Sequence, residues 1–166
     1  MVRVLRSPLL LLLGLLALPC SLRALTPFQK FQIQHVQPNP HPCDQAMIAV
    51  NSLTKRCKPT NTFLHDALQN VIDVCKLPNT HCKNGQYNCH RSATPVSMTD
   101  CKYISGQFPN CHYSDTHITK NFIVACDPPQ PWDPQDALVP VHFDRYVYNF
   151  DQFVSVLTGR FCHSFF

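Results

Sequence analysis

The chain has 166 residues with a formal net charge of +4, but the charge is unevenly placed. Between Leu25 and Asp144 nine Lys/Arg stand against nine Asp and no Glu, a net of zero. This excludes a protein that grips nucleic acid indiscriminately through a strong basic excess, and leaves any such affinity to a few placed cations. Eight histidines in the same span turn the domain positive as pH falls below about 6.5.

Arg3 and Arg6 precede an apolar run from Leu9 to Leu18, closed by Pro19, Cys20 and Ser21. The run is too short to span a bilayer comfortably. A basic start, a short apolar stretch and a small residue at the end describe a secretory signal peptide over residues 1–24, with Ala24 the last residue removed. The expected destination is outside the cell, or a granule or lysosomal compartment.

Residues 25–144 read as one domain. Phe28 to Val36 has helical spacing, with Phe28, Phe31 and His35 on one face, and Pro38, Pro40 and Pro42 end it. Asp44 to Leu53 reads as a second helix with Met47, Ile48 and Val50 apolar, and Asp66 to Cys75 as a third with Ala67, Val71 and Val74 apolar. Thr62-Phe63-Leu64 is a short strand between them. Beyond Lys76 the pattern turns β-like. Lys83-Asn84-Gly85-Gln86 is a turn, Phe108-Pro109-Asn110 another in which a cis proline fits, and Asn121 to Cys126 and Leu138 to Phe143 are strands. The proline-rich segment from Asp127 to Pro134 joins these two as a rigid loop. Helices early and strands late give an α+β domain. Residues 145–166 are aromatic-rich and read as an atypical, poorly ordered extension carrying Cys162.

Cys20 leaves with the signal. Cys43, Cys57, Cys75, Cys82, Cys89, Cys101, Cys111 and Cys126 fall in one compact span and imply four disulfides, whose pairing sequence alone leaves open. Bridges of this kind support a core too small to be comfortable alone. No C-x-x-C pair occurs, so no metal site and no cofactor is expected.

The chemistry lies in Gln34-His35, in the run from Cys57 to Phe63, and in Val141-His142-Phe143-Asp144. Two histidines and a lysine suit a reaction that needs a base, an acid and a stabiliser for an anionic transition state. Cleavage of RNA is such a reaction, because the 2′-hydroxyl is a built-in nucleophile. His41, His65, His81, His90, His112 and His117 have no chemical partner in the sequence and read as structural or solvated. Phe31 and Phe63 read as core and Trp132 as a loop residue.

These segments, together with Met98-Thr99-Asp100-Cys101, Phe122-Ile123-Val124-Ala125-Cys126 and the order and spacing of the eight cysteines, resemble the pancreatic-type ribonucleases, the ribonuclease A superfamily. Phe31 to His35, Thr62 to Asp66 and Cys126 to Gln130 are most similar to its ribonuclease k6 branch. The resemblance implies three helices on a V-shaped antiparallel sheet and the pairs Cys43–Cys101, Cys57–Cys111, Cys75–Cys126 and Cys82–Cys89. It implies His35 as base, His142 as acid and Lys58 as the stabilising cation, with Gln34 on a phosphate oxygen. Thr62 would choose a pyrimidine, Phe143 pack on its ring, and Asp144 orient His142. Gln86, Asn88 and Asp127 would meet the next base, and Lys30 and Lys83 flanking phosphates. The implied partner is single-stranded RNA, with a cytosolic ribonuclease inhibitor by family resemblance, and the expected form is a monomer. The competing readings are a host-defence protein binding microbial surfaces, which the neutral charge weakens, and a receptor-directed signalling protein on the same scaffold. No Asn-x-Ser/Thr sequon lies in the domain, so N-glycosylation is not expected.

Overall fold

A computed structural model describes residues 24–148. Residues 1–23 of the expected signal, and Cys162, lie outside those residues. Helix α1 spans Pro27–His35 and begins with a capping box: Thr26 Oγ1 accepts from the Gln29 N–H at 3.1 Å while the Gln29 side-chain oxygen accepts from the Thr26 N–H at 3.1 Å. Pro27 occupies the first turn, where its missing N–H costs nothing. The Thr26 hydroxyl donates to Asp133 Oδ1 at 2.6 Å, and Asp133 Oδ2 accepts from the Gln130 N–H at 2.9 Å. The proline-rich loop is thereby pinned to the start of the helix. Phe28, Phe31 and His35 are the buried stripe, as their spacing predicts.

Helix α2 runs over Cys43–Thr54 and buries Cys43, Met47 and Val50 at i, i+4 and i+7. Ile48, also apolar, falls outside that stripe and is 61% exposed. Strand β1 is Thr60–Leu64. Helix α3 is shorter than expected, Leu68–Asp73, and tightens into a 3-10 turn over Val74–Lys76. Asp66 stays outside it, with its carboxylate accepting from the Ala67 N–H at 2.8 Å and from the Asn70 amide at 2.7 Å. Asp66 thus precedes the helix, whose N-cap is Ala67, and braces its first turn through the Asn70 side chain.

Strands β2 (Asn79–Thr80), β3 (Cys89–Arg91), β4 (Val96–Gln107), β5 (Asn110–Asp127) and β6 (Val139–Val147) complete the described chain. All pairings between these strands are antiparallel. Strand β5 belongs to both arms of the V. Its first part, Asn110 to Lys120, pairs with β4, which in turn carries β1. Its second part, Asn121 to Asp127, pairs with β6, and β3 lies on its other side. The Phe108-Pro109 bond at the β4–β5 turn is cis. Gly85, at φ +85° in the expected Lys83–Gln86 turn, takes a backbone conformation that favours glycine.

The main core gathers Phe31, Leu64, Val71, Met98, Phe122 and Val124 where α1 and α3 meet the β5–β6 arm. A second cluster sets Met47, Val50, Phe63 and Tyr113 under α2. The four disulfides are Cys43–Cys101, Cys57–Cys111, Cys75–Cys126 and Cys82–Cys89, the pairing the resemblance implies.

Strand β6 passes through the boundary expected after Asp144. Arg145, Tyr146 and Val147 pair with Ile123, Phe122 and Asn121, so the first residues read as a loose extension belong to the sheet. Residues 149–166 lie outside the described residues.

Candidate active site

The last turn of α1 delivers His35 to the junction of the two arms. Val36 bridges to Leu64, and the Gln37 N–H donates to the Leu64 carbonyl at 2.9 Å, so the end of the helix is stitched to β1. His35 is 7% exposed, stacked on Phe143 with ring centroids 5.3 Å apart and tilted against Phe31 at the same separation. Its Nδ1 lies 2.8 Å from the Thr62 carbonyl oxygen. A carbonyl only accepts, so Nδ1 carries the proton, and in the neutral ring Nε2 keeps its lone pair. Burial, first of all, pushes the imidazole down from its ordinary value to about 3. The Thr62 carbonyl opposes this, while the Lys58 and His142 charges add to it. Burial therefore favours the neutral form of His35, whose Nε2 can accept a proton.

Lys58 comes from the segment just before β1. Its N–H donates to Asn51 Oδ1 at 2.9 Å, and its carbonyl accepts from the Tyr113 hydroxyl at 3.0 Å. Its ammonium donates to Asn61 Oδ1 at 2.8 Å, and the Asn61 amide donates to the Gln34 carbonyl at 2.7 Å. One asparagine thus ties the lysine to the turn of α1 that carries His35. Partial burial lowers the Lys58 ammonium below its ordinary value.

Strand β6 supplies His142, opposite Ala125 of β5. The ring is exposed to the cleft. Asp144 was expected to orient it, and does not. One oxygen of that carboxylate accepts from the Lys83 N–H at 3.1 Å, and the other pairs with the Arg145 guanidinium. The register shifts between Ile123↔Arg145 and Val124↔Phe143, so Asp144 is the unpaired residue of a bulge and is turned toward the Lys83 turn.

Gln34, His35, Lys58, Thr62, Lys83, His142, Phe143 and Asp144 line one cleft of about 650 Å³, joined by Thr60, Asn61, Arg145, Tyr146 and Tyr148. The size falls in the range usual for ligand clefts. Lys30 is exposed on α1 and does not line it. Gln86, Asn88 and Asp127 also lie outside that lining. Asn88 donates to Asp127 Oδ1 at 2.9 Å, at the far end of β5, and Gln86 Oε1 accepts from the Asn84 amide at 2.9 Å.

Thr62 is 8% exposed. Its hydroxyl donates to Asp100 Oδ1 at 2.8 Å, which leaves lone pairs on Oγ1 as acceptors. Asp100 and Asn61 were not singled out from the sequence, although each stands inside a quoted motif. Their roles depend on partners 38 and 27 residues away, which no local pattern announces. Arg145, Tyr146 and Tyr148 were read as part of an extension and not as site residues.

The remaining histidines have mostly structural partners. His65 Nδ1 lies 2.8 Å from the Gln37 carbonyl oxygen and its Nε2 lies 2.6 Å from Thr99 Oγ1, which lies 3.0 Å from His117 Nδ1. His90 is buried with Nδ1 2.6 Å from the Leu77 carbonyl oxygen. Among the described residues, a grouping tight enough for a metal is Cys82, Cys89 and Asp144, but the two sulfurs are bonded to each other and so are not thiolate ligands.

Comparison with known proteins identifies the family. The sequence profile described as pancreatic ribonuclease matches residues 26–144. Ribonuclease K3 of Sus scrofa is 53% identical over 146 residues, covering 84% of this chain and 94% of that protein. Ribonuclease K6 of Pongo pygmaeus is 54% identical over 146 residues, covering 85% and 97%. Ribonuclease K6 of Bos taurus is 51% identical over 148 residues, covering 85% and 94%.

Proposed function

The chain belongs to the pancreatic ribonuclease family, its K6 branch, and we propose that it is a secreted, metal-independent endoribonuclease that cuts single-stranded RNA on the 3′ side of pyrimidines. RNA cleavage is the activity the family carries. The observation that supports the assignment of roles is the His35 ring, with its Nδ1–H held by the Thr62 carbonyl and its other nitrogen left as a base in a cleft that also holds Lys58 and His142.

In this reading His35 Nε2 takes the proton from the ribose 2′-oxygen, and that oxygen attacks phosphorus. His142, protonated, gives its proton to the departing 5′-oxygen. The products are a 2′,3′-cyclic phosphate and a free 5′-hydroxyl. Water later opens the cyclic phosphate with the two histidines exchanging roles. Lys58 opposes the negative charge that builds on the phosphoryl oxygens, and Gln34 donates to one of them. Thr62 reads the pyrimidine edge: its Oγ1, already donating to Asp100, accepts from a base N–H. Phe143 supports the base ring. Asp144 acts on the Lys83 turn rather than on His142. DNA lacks the attacking hydroxyl and is not a substrate.

Secretion is supported by the leader at residues 1–24 and by four disulfides, which persist in oxidising compartments. A cytosolic ribonuclease inhibitor is the partner proposed from family likeness. A host-defence role is separable from catalysis: microbial killing undiminished in His142→Ala would assign it to surface binding. The deciding assay is cleavage of uridylyl-3′,5′-adenosine by the oxidised protein with chelator present. A cyclic-phosphate product is expected, and His142→Ala lowers the rate by roughly 10²–10⁴-fold. No such product from correctly oxidised protein overturns the reading.

A further inference from the structure

Tyr146 and Tyr148 stand two residues apart at the end of β6 and line the same cleft as Thr62 and His142. Their rings meet edge to face, with centroids 5.7 Å apart. The Lys120 ammonium, from β5, sits 3.4 Å from the centre of the Tyr148 ring and 6.0 Å from that of Tyr146. Tyr148 is nonetheless 60% exposed. Tyr146 is held in β6 by its pairing with Phe122, and Tyr148 follows directly after Val147, the last residue of the strand, which pairs with Asn121.

Position along β5 gives the group a direction. Asp127, held by Asn88, marks one end of the β5–β6 ladder; His142 faces Ala125 in the middle; the tyrosines flank Asn121 at the opposite end. If the pyrimidine before the cut lies at Thr62 and Phe143 and the base after it lies toward Asn88, the tyrosines meet the nucleotide before the pyrimidine. An exposed tyrosine ring with a cation beside it has the composition of a single-strand platform: the ring stacks on a base of any identity and the cation meets backbone charge.

We propose that Tyr146, Tyr148 and Lys120 form a binding site for the nucleotide on the 5′ side of the cleaved pyrimidine, with its base stacked on Tyr148 and its phosphate drawn to Lys120. The inference rests on the ribonuclease reading above. It makes the end of β6 part of the substrate groove rather than an obstruction across it.

The test compares kcat/KM of the full chain on uridylyl-3′,5′-adenosine with that on the same dinucleotide extended by one 5′ adenylate. The extension is expected to raise kcat/KM about tenfold, the order that a base–aromatic stack produces. In Tyr148→Ala the ratio falls toward one; Tyr148→Phe retains most of it; Lys120→Ala lowers it. An abasic 5′ nucleotide loses the share due to the ring. A ratio near one in the unaltered protein, or one unchanged in Tyr148→Ala, overturns the site. So does faster dinucleotide cleavage in Tyr148→Ala, because the ring then merely blocks the cleft. Failure to cleave either substrate sinks the ribonuclease reading itself and is told apart from these results by the missing product.

Discussion

His35 shows how much one residue's surroundings decide. A neutral imidazole is well suited to an enclosed position, and an imidazolium is not. The folded value lies near 3, against an ordinary value of 6.5. As pH falls through that window the unfolded chain takes up the proton before the folded one does. The stability this histidine contributes is therefore complete above about 6.5 and lost progressively toward 3, by at most about 1.4 kcal/mol per pH unit. Thermal melts from pH 7 to 3 should fall more steeply for the unaltered protein than for His35→Gln. The acid limb of kcat/KM, which reports the free base, should likewise lie well below 6.5. Parallel melting curves together with an acid limb near 6.5 would remove the burial account. The same enclosure explains why the base needs no carboxylate partner: the Thr62 carbonyl already selects the tautomer.

Helix α1 is the element on which the site depends, because it must present His35 with little error. Its start is held by the Thr26–Gln29 capping box and by the Thr26–Asp133 bond, its end by the stitch to β1. Thr26→Ala removes the cap and leaves the buried Asp133 carboxylate short of a donor. Loss of an N-cap costs about 1 kcal/mol, and the stranded carboxylate roughly 1–3 kcal/mol more. Chemical denaturation should show that loss, with Thr26→Ser restoring most of it. Strand β6 is the second such element. Its register shift at Asp144 turns that carboxylate to the Lys83 turn and away from the role beside His142 that the resemblance implies. A shift of this kind leaves no mark in composition, so the role expected for Asp144 was not correctable from sequence.

For the whole molecule, the disulfides compensate for a divided core. Cys75–Cys126 joins the turn after α3 to β5 across 51 residues, whereas Cys82–Cys89 closes a separation of 7. In the chain-entropy account, loss of the first destabilises by roughly 2 kcal/mol more than loss of the second. Urea unfolding of Cys75→Ala/Cys126→Ala beside Cys82→Ala/Cys89→Ala measures the difference, and equal midpoints would place the stabilisation in native-state contacts instead.

Much of the molecule was legible in the chain itself. The stripe Phe28, Phe31, His35 declares an amphipathic helix because periodicity is local, and the motifs around His35, Lys58 and His142 single out the three side chains that the fold brings to one cleft. Cysteine count and spacing announced four bridges. Tertiary structure decided the rest. It set Asn61 between Lys58 and Gln34, gave the Thr62 hydroxyl to Asp100, diverted Asp144 to the Lys83 turn, and carried β6 past Asp144 so that two tyrosines reach the cleft. These are pairings between segments distant in sequence. Their energies depend on distance and burial, which no one-dimensional pattern contains.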